Sequence, residues 1–319
     1  MSTRQPSVLL TLLAGAGLAG LVAGPAAARA APAQRAEVLS LRHDLPGLPP
    51  GALAGLLIRP AGTAPYPAAI LLDDGQGLDD RVFALGDALL RRGWAVLEIE
   101  LHPHPADGDR PATAPDDAAD APGRIQALHE LIARLAEDGE IDAARLAVIG
   151  WGAGGRTALM AGAEEEATSV LGPFGPRPAA HVALYPGCAA LAQEGYAEDR
   201  PWSGAPVAVL WAGRDARDPP GACASLRRGL AGLGRMPRLW HDYPLATYGW
   251  DYGAAQGAAV SLPIAPGRLA PVRQDSVVST DAIDRVLGFL EAATAPTGAP
   301  TGAPAGRAVT VGATPVATR

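Results

Sequence analysis

The chain contains no lysine. All 26 of its basic residues are arginine, which excludes chemistry that runs through a lysine amine, including Schiff bases and a pyridoxal phosphate linkage. It also lacks any dense basic run, and its net charge is -7 with a pI near 5.4. Nucleic acid is therefore excluded as a partner, because phosphate contacts need clustered positive charge. Cysteine is scarce: only Cys188 and Cys223 are present, enough for one bridge.

What is present suits a globular protein, with 48% hydrophobic and 18% charged residues. Arg4, an apolar stretch from Val8 to Val22, and Ala28-Arg29-Ala30 before Ala31 form the n-region, h-region and A-x-A site of a secretory signal peptide. Residues 1–30 are read as that peptide. The stretch is short for a membrane span and is punctuated by Gly15, Gly17, Gly20 and Gly24, so no stable span is expected after cleavage. No cysteine stands near the site to carry a lipid. The mature protein is expected to be soluble in an oxidising compartment, periplasmic or secreted, where Cys188 and Cys223 can pair. Residues 293–319, rich in Pro, Thr, Gly and Ala and without a periodic apolar face, read as a disordered tail.

Residues 31–51 are a lead-in, and residues 52–292 read as one α/β domain. Short apolar runs predict strands at Leu53–Ile58, Ala68–Leu72, Ala95–Ile99, Leu146–Ile149, His181–Tyr185, Ala205–Trp211 and Pro237–Tyr243. Helical patterns fall at Asp80–Arg92, Pro122–Glu137, Gly155–Ala163, Pro220–Leu233 and Ser279–Ala292, the last with Ser279 and Thr280 as its start signal. Alternation of this kind gives a mostly parallel open sheet flanked by helices, an α/β/α sandwich.

The run Leu146–Ile149 leads into Gly150-Trp151-Gly152-Ala153-Gly154-Gly155 and then a helix. A strand, a sharp turn and a helix with G-x-S-x-G make a nucleophile elbow. Here the pattern is G-x-G-x-G. A dinucleotide-binding turn would lie near the first strand, and this one comes too late in the chain.

IGWGAGG at Ile149–Gly155, ALYPGC at Ala183–Cys188, AGRDARDPPGAC at Ala212–Cys223 and YPLATYGWD at Tyr243–Asp251 together resemble the dienelactone hydrolase family of the α/β-hydrolase superfamily, especially its exported members. The order and spacing agree over most of residues 52–292. The resemblance implies an eight-stranded α/β-hydrolase fold and a Cys- or Ser-His-Asp triad acting on esters or lactones. Position by position, it puts the nucleophile at Gly152, the triad acid at Asp215 and the histidine at Tyr248. The oxyanion-hole amides fall on Ala153 and Gln76, and Asp74 stands where the family has a histidine in L-H-G.

Acyl transfer needs a nucleophile and a base. Gly152 has no side chain, and a tyrosine titrates near pH 10 when unperturbed, far from imidazole. Oxyanion stabilisation and binding alone leave roughly 10³ to 10⁴ over water. Glycine at position 152 relieves the strain of the elbow backbone and is expected to leave a side-chain-sized space at the pocket floor.

Among other candidates, His102 and His104 with Asp107 and Asp109 alternate as metal ligands can, but the reading adopted is a solvated loop, with no metal or cofactor. His129 and His241 fall in periodic segments as packing or surface residues. Of the adjacent Asp73 and Asp74, at most one can face a ligand. Trp151 is expected to pack beside the elbow, and Trp250 either to pack or to wall the cleft. Without a histidine, Asp215 is expected to bond Tyr248 or backbone amides. The leading expectation is a catalytically impaired hydrolase homologue that keeps a small-molecule pocket. The alternatives are a weak or altered ester or lactone hydrolase using activated water or another nucleophile, and an exported module for an unidentified protein partner.

Overall fold

The computed structural model describes residues 33–43, 51–75, 77–101, 121–253, 260–265 and 268–295. The signal-peptide stretch, the tail beyond 295 and the His102, His104, Asp107 and Asp109 group lie outside the described residues. Among those described, no helix is long and apolar enough to cross a membrane.

Eight strands form one sheet: β1 (Arg35–His43), β2 (Gly51–Arg59), β3 (Tyr66–Leu72), β4 (Ala95–Ile99), β5 (Ile141–Trp151), β6 (Ala180–Leu184), β7 (Val207–Ala212) and β8 (Leu239–Tyr243). Their spatial order is β1-β2-β4-β3-β5-β6-β7-β8, with β2 antiparallel to both neighbours and the strands from β4 to β8 parallel. Successive side chains on a strand face opposite ways. Leu71, Val96, Ile149 and Leu210 accordingly pack against Leu85 and Leu89 of α1 (Asp80–Arg91) and Val286 and Leu290 of α7 (Ser276–Ala293). On the other face, Ile70, Leu72, Leu97 and Val148 meet Leu128, Leu131 and Leu135 of α2 (Ala121–Ala136). Beyond them, Met160 of α3 (Gly152–Met160), Leu191 of α5 (Cys188–Gln193) and Leu226 and Leu230 of α6 (Ala222–Gly232) cluster with Val209. The seven predicted strands and five predicted helices are all present.

The differences have physical reasons. The stretch read as a lead-in supplies β1, an edge strand whose exposed positions such as Val38 carry little core signal. Helix α3 starts at Gly152 rather than Gly155, because packing overrides the low helix propensity of glycine. Helix α7 starts at Ser276: Asp275, not Ser279 or Thr280, caps it by accepting hydrogen bonds from the Val277 and Val278 amides at 3.1 and 3.0 Å. The short α4 (Glu164–Leu171) and α5, and a hairpin of β9 (Val260–Ala265) and β10 (Arg268–Val272), were not expected.

The chain passes from β3 to β4 on one side and then returns to place β5 on the other side of β3. The C-terminal ends of β3 and β5, paired at Leu72 and Gly150, therefore form a topological switch point, where ligands of open α/β sheets bind.

Candidate functional site

Two turns leave the sheet side by side at this switch point: Asp73-Asp74-Gly75 after β3 and Gly152-Ala153-Gly154 at the head of α3. They touch so closely that a Cβ on Gly154 would stand 2.1 Å from the Asp73 carbonyl oxygen, so only glycine permits this approach of helix to strand. Gly152 has φ of +48°, the left-handed region in which an elbow residue is strained unless it is glycine. Ala153 follows it, buried at the start of α3. Gln76, the other expected oxyanion-hole amide, lies outside the described residues.

The space above Gly152 is not empty, contrary to the expectation from its missing side chain. A Cβ at Gly152 would lie 2.8 Å from the Tyr248 hydroxyl and 2.9 Å from the Asp74 Cβ. The long Tyr248 side chain reaches over Gly152, and its hydroxyl donates a hydrogen bond to Asp74 Oδ2.

Asp73 and Asp74 diverge, as neighbouring residues in an extended segment must. The Asp73 carboxylate accepts from the Gly75 and Gly77 amides at 2.7 and 3.1 Å and shapes its own loop. Asp74 turns into the protein, where Arg81 Nη1 donates to it at 2.7 Å and the Tyr252 hydroxyl at 3.3 Å. Arg81, nearly inaccessible on α1, also binds Asp79 through Nε and Nη2 and donates to the Tyr185 hydroxyl at 3.1 Å. The Tyr185 hydroxyl donates a hydrogen bond to Asp251 Oδ1 at 2.6 Å, and the Trp151 indole donates to Asp251 Oδ2 at 2.8 Å. A chain of buried hydrogen bonds thus runs from Asp74 through Arg81 and Tyr185 to Asp251 and Trp151. Tyr185 closes β6 with φ of +39°, a costly conformation for a residue with a side chain.

Charges buried this deeply persist only when paired. Burial opposes the charge on Arg81, but Tyr185, Asp74 and Asp79 outweigh it, and the pKa lies well above the usual arginine value. Burial, and then Asp74, push the Tyr248 hydroxyl well above its ordinary value. Tyr248 is held as a neutral donor and cannot act as a base near neutrality. Burial raises the Asp251 pKa as well, partly offset by Arg81 and by the hydrogen bonds from Tyr185 and Trp151.

Asp215, in the turn after β7, does not bond Tyr248. Both of its oxygens are held by Arg217, through Nε at 3.0 and 3.2 Å and Nη2 at 2.7 Å, and the Arg217 amide donates to Oδ1. The same guanidinium lies 3.6 Å over the Tyr248 ring, so a cation stands between Asp215 and Tyr248. Trp151 is buried and packs beside the elbow. Trp250 is wholly buried, edge-on to Tyr185 and Tyr243 at centroid distances of 4.6 and 5.1 Å, which makes it a core residue and not a cleft wall. His129 is buried and His241 lies half-exposed on β8. Cys188 and Cys223, at the starts of α5 and α6, are bridged, with Cα atoms 4.9 Å apart.

The structure thus brings Gly152, Asp74 and Tyr248 together and holds Asp215 behind Arg217. Arg81, Tyr185, Arg217, Asp251 and Tyr252 were missed in the sequence. The one signal for them was Asp74 itself: a carboxylate beside a buried elbow demands a cation, but no spacing rule reveals which.

No protein-family model and no curated protein matches this sequence. Solved structures do. A putative dienelactone hydrolase from Klebsiella pneumoniae subsp. pneumoniae is 18% identical with a TM-score of 0.56, over 81% of this chain and 99% of that one. A dienelactone hydrolase-like promiscuous phosphotriesterase from metagenomic libraries is 17% identical with a TM-score of 0.54, over 82% and 99%. Esterase 2 of Thermogutta terrifontis, phosphorylated by paraoxon, is 15% identical with a TM-score of 0.52, over 81% and 94%. The chain has the α/β-hydrolase fold, and two of these three structures are named as dienelactone hydrolase or dienelactone hydrolase-like.

Proposed function

We propose that this chain is an exported, dienelactone-hydrolase-like protein that has lost ester-cleaving chemistry and works by binding. The observation that carries this reading is the Tyr248 hydroxyl, 2.8 Å from where a Cβ of residue 152 would stand. A nucleophile there has no room, and the oxygen that occupies the place is a neutral phenol with a raised pKa. Asp215 is committed to Arg217, which leaves no base-and-acid pair to move a proton. Asp74, Tyr248 and Arg81 are all nearly inaccessible, so a water activated among them would not meet a substrate. Export is supported by the signal-like N-terminus and by the Cys188–Cys223 bridge, which oxidising compartments favour.

The test is turnover of activated esters and lactones by purified protein beside an Asp215→Ala variant. The expected result is background hydrolysis in both. Robust hydrolysis by the wild type that the variant loses would sink the proposal. N-terminal sequencing of protein recovered from its host is expected to begin near Ala31; an intact Met1 or Ser2 would refute export.

A further inference from the structure

We infer that a cavity at the far end of the sheet from the elbow, between the segment entering β7 and the loop from α6 to β8, is a binding site for a small organic anion with a carboxylate or phosphate head on a single-ring apolar body. The cavity has a volume of about 280 Å³, just below the usual range for drug-sized ligands and so room for a single ring. The elbow lies at the C-terminal end of β5, whereas Pro206 and Arg238, which line the cavity, stand just before the first residues of β7 and β8. The length of a six-residue strand, roughly 20 Å, separates the two ends of the sheet. The inference does not depend on whether the elbow is catalytic.

Leu159, Trp202, Pro206, Val207 and Met236 supply the apolar wall, and Arg235, Arg238 and Ser203 the polar one. Among the described residues no aspartate or glutamate lines the cavity, in a chain whose net charge is -7. Tyr196, also in the wall, stays a neutral phenol, its pKa pushed up to about 12 by burial. His181 stands there too, but it is buried with Nδ1 on the Ala158 carbonyl at 2.7 Å and Nε2 sealed, so it takes no part in binding.

The donors define the ligand. The Arg235 guanidinium lies 3.8 Å over the Trp202 ring, which fixes its position before a ligand arrives. Its Nη1 donates to the Glu198 carbonyl at 3.0 Å; Nε and Nη2 have no partner among the described residues and are not sealed from solvent. Arg238 is exposed and makes no ion pair among the described residues. Ser203 Oγ accepts from the Ala205 amide at 3.3 Å, so its hydroxyl proton is left to donate. Arg200, the other cation at Trp202, is spent on Glu166 at 2.8 Å. Burial, and the like charge of Arg200, lower the Arg235 pKa against the pull of Tyr196 and Asp199, a penalty that an incoming anion relieves. Two cations without a carboxylate partner and a hydroxyl with a proton to give, beside an apolar wall, call for a head that accepts and carries negative charge.

The test uses benzoate, phenyl phosphate, methyl benzoate and benzylamine as probes on the full mature chain, following the Trp202 indole and Arg235 Nε–H resonances by NMR. Saturable shifts with benzoate and phenyl phosphate are expected, with neutral methyl benzoate and cationic benzylamine at least roughly tenfold weaker. Inorganic phosphate, which has the head without the ring, is expected to bind at least roughly tenfold more weakly than phenyl phosphate. Arg238→Ala, at an exposed position, is expected to weaken benzoate about threefold, and Arg235→Gln at least about tenfold. No saturable binding of benzoate or phenyl phosphate up to about 10 mM would overturn the inference. So would methyl benzoate or benzylamine binding as tightly as benzoate, or inorganic phosphate as tightly as phenyl phosphate. Benzoate affinity that Arg238→Ala leaves unchanged would overturn it as well, even where Arg235→Gln fails to fold.

Discussion

Gly152→Ala is the sharpest probe of the occupied elbow. The new Cβ meets two penalties that can be sized separately. The backbone at φ of +48° costs a residue with a side chain about 1–2 kcal/mol. The contacts of 2.8 Å to the Tyr248 hydroxyl and 2.9 Å to the Asp74 Cβ are overpacking, which costs about 1–3 kcal/mol. A destabilisation of roughly 3 kcal/mol follows, and a fall in Tm of about 10 °C for a domain of this size. The assay is urea unfolding by linear extrapolation with the disulfide intact. Tyr248→Phe provides the control, since it removes the crowding oxygen and costs about 1 kcal/mol for the hydrogen bond to Asp74. The double variant is expected to be less destabilised than the sum of the singles by about 1 kcal/mol, because the two side chains compete for one space. Wild-type stability in Gly152→Ala, or strict additivity with Tyr248→Phe, would refute the claim that the tyrosine fills the space over Gly152.

Two other outcomes follow from the same geometry. Burial pushes the His181 pKa down to about 4, while the unfolded chain titrates near 6.5. As pH falls below 6.5 the unfolded state takes the proton first, so stability is lost from there down to about pH 4, by about 2 kcal/mol between pH 7 and 5; His129, shifted the same way, adds to the loss. Urea unfolding at the two pH values measures it, and a His181 imidazole that titrates near 6.5 by NMR would contradict it. Restoring the triad with Gly152→Ser and Tyr248→His is expected to leave ester turnover near background, because Arg217 still holds both Asp215 oxygens; adding Arg217→Ala is expected to raise it by more than any single change, since triad members act as a unit. Activity in the double variant equal to that of the triple would show that Arg217 is no barrier.

Much of this protein was legible as sequence because the relevant signals are local. Strands such as Ala95–Ile99 are continuous apolar runs buried on both faces, and helix α1 repeats its apolar residues at Val82, Leu85 and Leu89, so both periods are visible in the string. The turn at Gly150–Gly155 was visible because its glycines are close together in the chain, and the reading of Gly152 and Tyr248 as the nucleophile and histidine positions rested on the resemblance of four motifs. Strand β1 was hidden because an edge strand buries little. What Gly152 left behind was misjudged, since deletion of a side chain opens a space only if nothing else moves in. That depended on a residue 96 positions later in the chain, at 248, whose ring reaches the elbow only after the sheet brings β5 and the turn after β8 together. The bond from Asp74 to Arg81, the diversion of Asp215 to Arg217, and the cavity beside Arg235 are likewise meetings of side chains from different elements. Periodicity and motif spacing record which way one segment faces; which partners a buried charge finds is decided by how the segments pack.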